Sequence, residues 1–180
     1  MRFVRKTMLL LLLCFVSFLN LAASFNFEAG PVFSDYGKHA SVPGIKFDKS
    51  AKFKVAFDVA SGTDAGTINR KFDSLARFTN MHVANGVPLQ NIQLALVVHG
   101  QATLDILNNT AYQNRKNATN QNIPLLQALM QNGVRVIVCG QSAAAHKVTP
   151  DMLTEGSEVA LSAMTAHALL QQDGYTLNPF

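Results

Sequence analysis

Two aliphatic runs, residues 92–98 and 134–138, constrain the fold more than any other feature of the chain. Neither run alternates regularly with polar residues, Gln93 and Arg135 being the single interruptions, and a near-continuous run of this kind suits a strand covered on both faces. Each ends in a polar residue followed by glycine, His99-Gly100 and Cys139-Gly140. Residues 53–60 read as an earlier strand, 158–161 as a short fourth and 175–177 as a fifth. Helical spacing separates them: Phe72, Leu75, Ala76 and Phe78 up to Asn85-Gly86, Leu125, Leu126, Leu129 and Met130 up to Asn132-Gly133, and residues 164–172 before Gly174. Strands alternating with helices predict an α/β domain, a mainly parallel sheet with helices on both faces. Thr149-Pro150-Asp151 reads as a helix start, with Thr at the N-cap and Pro at N1. The polar, asparagine-rich stretch 108–122 is assigned no element.

The first residues have the plan of a signal peptide. Arg2, Arg5 and Lys6 precede an apolar run that begins at Met8 and fades at Asn20. The run is about 12 residues long, short of the roughly 20 that a membrane span needs. Ala22 and Ser24 fit the small-x-small rule for cleavage before Phe25. The expectation is export, to the periplasm, with residues 1–24 removed and no membrane span left after processing. A lipid-modified Cys14 is not expected, because Leu13 stands where a small residue belongs.

Processing changes two counts. It takes three of the 15 basic residues, leaving 12 against 11 acidic ones, so a net charge of +4 falls to about +1. That balance does not suit nucleic-acid binding. It also removes one of two cysteines, leaving Cys139 alone with no intramolecular disulfide to form. Residues 25–51 mix Pro31, Pro43, Gly30, Gly37 and Gly44 with aromatic side chains, which predicts an irregular arm packed on the domain at 52–180.

In parallel sheets the strand-to-helix loops gather at the carboxyl ends of the strands, where ligands bind. His99 and Cys139 both fall there. Peptide N–H groups of Gly140, Gln141 and Ser142 could face the sulfur and lower its pKa from the free value of about 8.5, raising the fraction of nucleophilic thiolate. The alternatives stay open at this level: Cys139 as an inert cysteine that finishes a strand, and His99 as a hydrogen-bonded loop residue. His146 is a weaker candidate, and His39, His82 and His167 read as structural or solvated. No Cys-x-x-Cys or His-x-x-x-His spacing occurs, so neither a metal site nor a cofactor is expected. The loop 61–67 lacks both a Gly-x-Gly-x-x-Gly pattern and a Walker lysine and reads as solvated. Ser142 lacks the Gly-x-Ser-x-Gly context of a hydrolase nucleophile.

Three segments, Val97-Val98-His99-Gly100, Gly133-Val134 through Cys139-Gly140-Gln141-Ser142, and Leu169-Leu170-Gln171-Gln172-Asp173-Gly174-Tyr175, together resemble the DsrE/DsrF-like family over residues 52–178. That family includes sulfur-relay proteins of sulfur oxidation and tRNA thiolation. The resemblance implies a three-layer α/β/α sandwich with a five-stranded parallel sheet and homo-oligomers, trimers or hexamers. It also implies a persulfide-forming cysteine at Cys139; the strand-end reading adds His99, which could approach the thiol if the two strands are paired, and places Gly100, Gly140, Gln141 and Ser142 around the sulfur. Sulfur donor or acceptor proteins would be its partners. A dithiol oxidoreductase needs a second cysteine to resolve its mixed disulfide, whereas a sulfur carrier needs one thiolate. The competing expectation is a non-catalytic ligand-binding or assembly module in which Cys139 is inert.

Overall fold

A computed structural model describes residues 26–179 of the chain. The expected signal peptide at 1–24, with Cys14 and the cleavage point before Phe25, lies outside the described residues. The irregular arm begins with a minimal antiparallel pair, β1 (Phe27–Glu28) on β2 (His39–Ala40). The domain then runs β3 (Phe53–Val59), α1 (Arg70–Ala84), β4 (Ile92–Val98), α2 (Asn109–Lys116), α3 (Asn122–Gln131), β5 (Arg135–Cys139), α4 (Gly140–Ala145), β6 (Glu158–Ala160), α5 (Ala163–Gln172) and β7 (Thr176–Asn178). Its five strands form one parallel sheet in the order β6-β5-β4-β3-β7, the three-layer α/β/α arrangement that was expected.

The register assigns each side chain to a face. Asp58 pairs with Val97 and Val97 with Ile137, so these three positions share one side of the sheet. The opposite side carries Val55, Phe57 and Val59 of β3, Leu94, Leu96 and Val98 of β4, and Val136 and Val138 of β5. Against it lie α1 and α3; in α1 the buried Phe72, Leu75, Ala76 and Thr79 recur at i, i+3, i+4 and i+7. The side of Asp58 is covered by α5, whose Ala166 and Leu170 pack on Ala56, Ala95, Val97 and Ile137. Small residues on both surfaces let that helix approach the sheet closely.

Short polar side chains start the helices. Asn69, Asn108 and Ser162 each accept a backbone N–H in the first turn of α1, α2 and α5. The stretch left unassigned in the sequence thus holds α2 and the start of α3. It is polar because its asparagines work inward: Asn120 donates to the carbonyls of Asp105 and Leu107, and Asn122 accepts from the Asn69 N–H. The helix expected at Thr149-Pro150 is corrected to a single 3-10 turn, Pro150–Met152, and Thr149 makes no side-chain cap. The chain there is tied across to 106–108, with Asn108 N–H donating to Met152 O and Thr154 N–H to Ile106 O, so the turn cannot propagate.

One buried asparagine fastens the arm to the domain. Asn80 Oδ1 accepts from the N–H groups of Val32 and Phe33, and its Nδ2 donates to the carbonyls of Phe33, Tyr36 and Gly37, all within 2.9–3.1 Å. The aromatic residues of the arm divide accordingly: Phe33 is buried, while Phe27 and Phe47 stay exposed. Among the described residues no helix is long and apolar enough to cross a membrane.

Candidate functional site

Cys139 ends β5 and caps α4 in one step. Its extended backbone, φ −66° and ψ 116°, turns the chain so that Sγ accepts the Ser142 N–H at 3.4 Å. The residue is only 5 % exposed. Burial pushes the thiol up, but it is outweighed by the Ser142 hydroxyl and then by the N–H groups of Ser142, Ala163 and Gln141. The thiol therefore sits below its ordinary value, and thiolate is the better-solvated form. Two helix starts, those of α4 and α5, supply these donors. The Gly140 peptide is not among them; its role is spatial. A Cβ on Gly140 would stand 2.7 Å from Ala160 O and 3.2 Å from Leu161 O, so only glycine lets the β6–α5 connection close over the sulfur.

Ser142 also joins the two strand ends noted in the sequence. Its hydroxyl accepts the Gly100 N–H at 3.0 Å, so Ser142 touches both the Cys139 sulfur and the residue after His99. Gly100 has φ +52°, and a Cβ there would meet Ala60 O at 2.9 Å, so both its conformation and its surroundings call for glycine. Gln141 reaches back through Nε2 to Leu161 O at 3.2 Å.

The His99 imidazole turns to β3 instead of to the thiol. Its Nε2 lies 3.2 Å from Asp58 Oδ1 and 3.3 Å from Oδ2, and no hydrogen bond joins it to Cys139. A second histidine converges on the same carboxylate, His167 of α5, with Nε2 2.8 Å from Oδ1. Burial raises Asp58, but hydrogen bonds from His167 and His99, with their charge when protonated, outweigh it and hold the carboxyl below its usual range. Asp58, His99 and Cys139 come from three adjacent strands and one face, because His99 and Cys139 each lie two residues beyond the Val97–Ile137 pair that is level with Asp58. The fourth member, His167, belongs to the inward stripe of α5 formed with Ala163, Ala166 and Leu170.

Sequence reasoning missed Asp58 and read His167 as structural or solvated. The signal for Asp58 was present, a lone acid inside the apolar strand Phe-Lys-Val-Ala-Phe-Asp-Val. His146 caps the end of α4, where its carbonyl accepts from Arg115 at 2.6 Å, away from the thiol. His82 is a packing residue, set among Phe47, Phe53 and Phe78, with Nδ1 2.6 Å from Phe78 O. Among the described residues no group of three or more His, Cys, Asp or Glu side chains is arranged to hold a metal ion. A broad open groove of about 590 Å³ lies at the amino ends of β5 and β6, at the opposite edge of the sheet from Cys139, and carries only the Arg135–Glu158 ion pair and Glu155 as charged groups.

Residues 54–179 match the DsrE/DsrF-like family. No curated protein matches the chain. Among solved structures, it is similar to a protein of unknown function, MTH1491, from Methanobacterium thermoautotrophicum. That likeness has a TM-score of 0.51 at 15 % identity and covers 72 % of this chain and 100 % of that one, and it speaks to the fold alone. The family match runs from β3 through β7, which is the whole of the five-stranded sheet and every residue of the thiol site, and on that match the chain belongs to the DsrE/DsrF-like family.

Proposed function

We propose that this protein is an exported sulfur carrier, in which Cys139 takes up sulfane sulfur as a persulfide and passes it to an acceptor thiol. The observation that carries the reading is the placement of the Cys139 sulfur at the end of β5, where it accepts the Ser142 N–H at 3.4 Å at the start of α4, surroundings that hold the thiol below its ordinary value. Family membership supports a sulfur-relay-like role. The chemistry needs one thiolate and no external oxidant. The Cys139 thiolate attacks the outer sulfur of a donor persulfide, R–S–SH. A new S–S bond forms at Cys139, the donor S–S bond breaks, and the leaving R–S⁻ takes the proton given up by Cys139. No second cysteine is required, and Cys139 is the free cysteine of the described residues.

His99 supplies proton exchange beside the sulfur in this reading, while Gly100, Gly140, Gln141 and Ser142 shape its surroundings. The carrier works as a homo-oligomer, a trimer or hexamer. Exposed apolar residues on the β6–α5 connection and on α5, Leu161 at 73 % and Met164 at 80 %, suit such contacts. The signal-peptide pattern of residues 1–24 supports a periplasmic location.

A second reading is a binding or assembly module with an inert cysteine, and the 5 % exposure of Cys139 favours it. One mass-spectrometric experiment separates them. Protein from the periplasmic fraction, incubated with glutathione persulfide, is expected to begin at Phe25, to assemble as a trimer or hexamer in native spectra, and to gain about 32 Da per chain. A chain that gains no mass rejects the carrier; one that keeps residues 1–24, or stays monomeric, rejects the location or the assembly.

A further inference from the structure

We infer that Asp58 and His167 are positioning residues for proton exchange at Cys139, holding His99 in the tautomer and orientation that the sulfur transfer uses. The inference rests on the carrier reading and deepens it.

An ionised carboxylate only accepts hydrogen bonds, so both imidazoles that point Nε2 at Asp58 must carry their proton on that nitrogen. In each neutral ring the lone pair is then on Nδ1. Asp58 thus gives His99 a basic Nδ1 and a fixed ring plane, the same logic by which a buried acid orients the base beside a nucleophile. His167 provides the second hold on the carboxylate. It comes from α5, the helix whose first peptide N–H, at Ala163, also faces the Cys139 sulfur. One helix therefore sets both the thiolate and the acid that orients its neighbour.

Stability alone gives this cluster little reason to exist. A partly buried carboxylate between Phe57 and Val59 costs desolvation, and apolar residues of similar volume commonly serve a fold as well or better. His167 adds to the cost, since its Nδ1 is buried without a hydrogen-bond partner. The charged and titratable groups that face Asp58 are His99, just past the end of β4, and His167 from α5; across β7, the nearest registered position is the uncharged Asn178, opposite Phe57. Because no hydrogen bond links His99 to Sγ, the proton travels through one water or directly between Nδ1 and the incoming donor sulfur. Removal of the Cys139 proton and its return to the leaving thiolate are then carried by one ring.

The test compares two reactions of the same thiol in the full mature chain. Asp58→Asn keeps the side-chain shape but removes the negative charge that favours an Nε2–H on both rings and turns one carboxylate oxygen into an NH₂ donor, so the hold on the two tautomers is lost. The expected result is a fall of about tenfold or more in the rate of persulfide formation from glutathione persulfide at neutral pH, within the range of general acid–base effects. The pH profile of that rate should lose its histidine limb. Alkylation of Cys139 by iodoacetamide should keep its wild-type pH curve, because the donors that set it come from Ser142, Gln141 and Ala163. His167→Gln, which keeps a polar side chain and a donor at that position, is expected to give a smaller loss of the same kind, and it keeps the test decisive if the Asp58 variant does not fold. Unchanged transfer rates and pH profiles in a folded variant overturn the inference while leaving the carrier intact. A wild-type chain that takes up no sulfur overturns both. Long-range nitrogen–proton NMR of wild type should show His99 and His167 as Nε2–H tautomers; an Nδ1–H ring at either position also overturns it.

Discussion

Replacing Ser142 with alanine removes one hydroxyl and keeps the peptide N–H that caps α4. The hydroxyl stands between two partners, accepting from Gly100 N–H at 3.0 Å and favouring the thiolate of Cys139 more than any of the peptide donors does. A hydrogen bond to a charged group contributes about 1.5–3 kcal/mol, and every 1.4 kcal/mol changes an equilibrium by about tenfold. The thiolate fraction at neutral pH should therefore fall, by up to about tenfold. The assay is the second-order rate of iodoacetamide alkylation measured across pH. The variant's curve should move to higher pH and converge with wild type on the alkaline plateau, where both proteins are fully ionised. Superposable curves would show that the sulfur owes nothing to Ser142. A curve that is lower at every pH, plateau included, would point to lost access instead. The Gly100 N–H is left without its acceptor in this variant, so a modest loss of thermal stability should accompany the shift.

Two further substitutions probe the scaffold. Asn80→Ala removes five hydrogen bonds between α1 and the arm; at about 0.5–1.5 kcal/mol each, the loss should reach about 3 kcal/mol in chemical denaturation, with new proteolytic cleavage at residues 30–37. A loss below about 1 kcal/mol with no new cleavage would mean that the arm is held by other contacts. Burial raises the Asp105 carboxyl, against smaller opposing effects of Asn69, Thr63 and Lys116, and its Oδ1 has no partner. A raised acid favours the fold when protonated, so its contribution is full below the unfolded value of about 3.9 and is lost as pH rises through the folded value. Asp105→Asn should consequently gain in melting temperature relative to wild type as pH rises from about 4 to 7, and a difference that does not change with pH contradicts this.

The parts of this molecule that could be read from sequence are those where one chain segment carries its own signal. Strands β4 and β5 are covered on both faces beyond the exposed Gln93 and Arg135 near their starts, so their aliphatic runs are near-continuous, and the residues that end them, His99 and Cys139, fall at the sheet's carboxyl edge. The asparagine-glycine pairs at 85–86 and 132–133 marked helix ends because the residue after the cap takes a left-handed backbone, φ +92° at Gly86 and +81° at Gly133. What could not be read depends on strand order and on contacts between distant segments. Asp58 meets His167 across 109 residues, and only β3's place beside β4, with α5 above both, brings them together. The asparagine-rich stretch misled for a related reason. Its composition is that of a solvated loop, yet Asn120 and Asn122 are buried and spend their amides on backbone groups of other segments. Pro150 failed as a helix start because hydrogen bonds to 106–108 outrank a local N1 preference.

Sulfur carriage by Cys139 is decided by the intact mass of the processed chain after exposure to glutathione persulfide, alongside a Cys139→Ser variant. Wild type should gain an adduct of about 32 Da that an acceptor thiol removes and that the variant lacks. Wild type without the adduct, or a variant that gains it equally, contradicts the account.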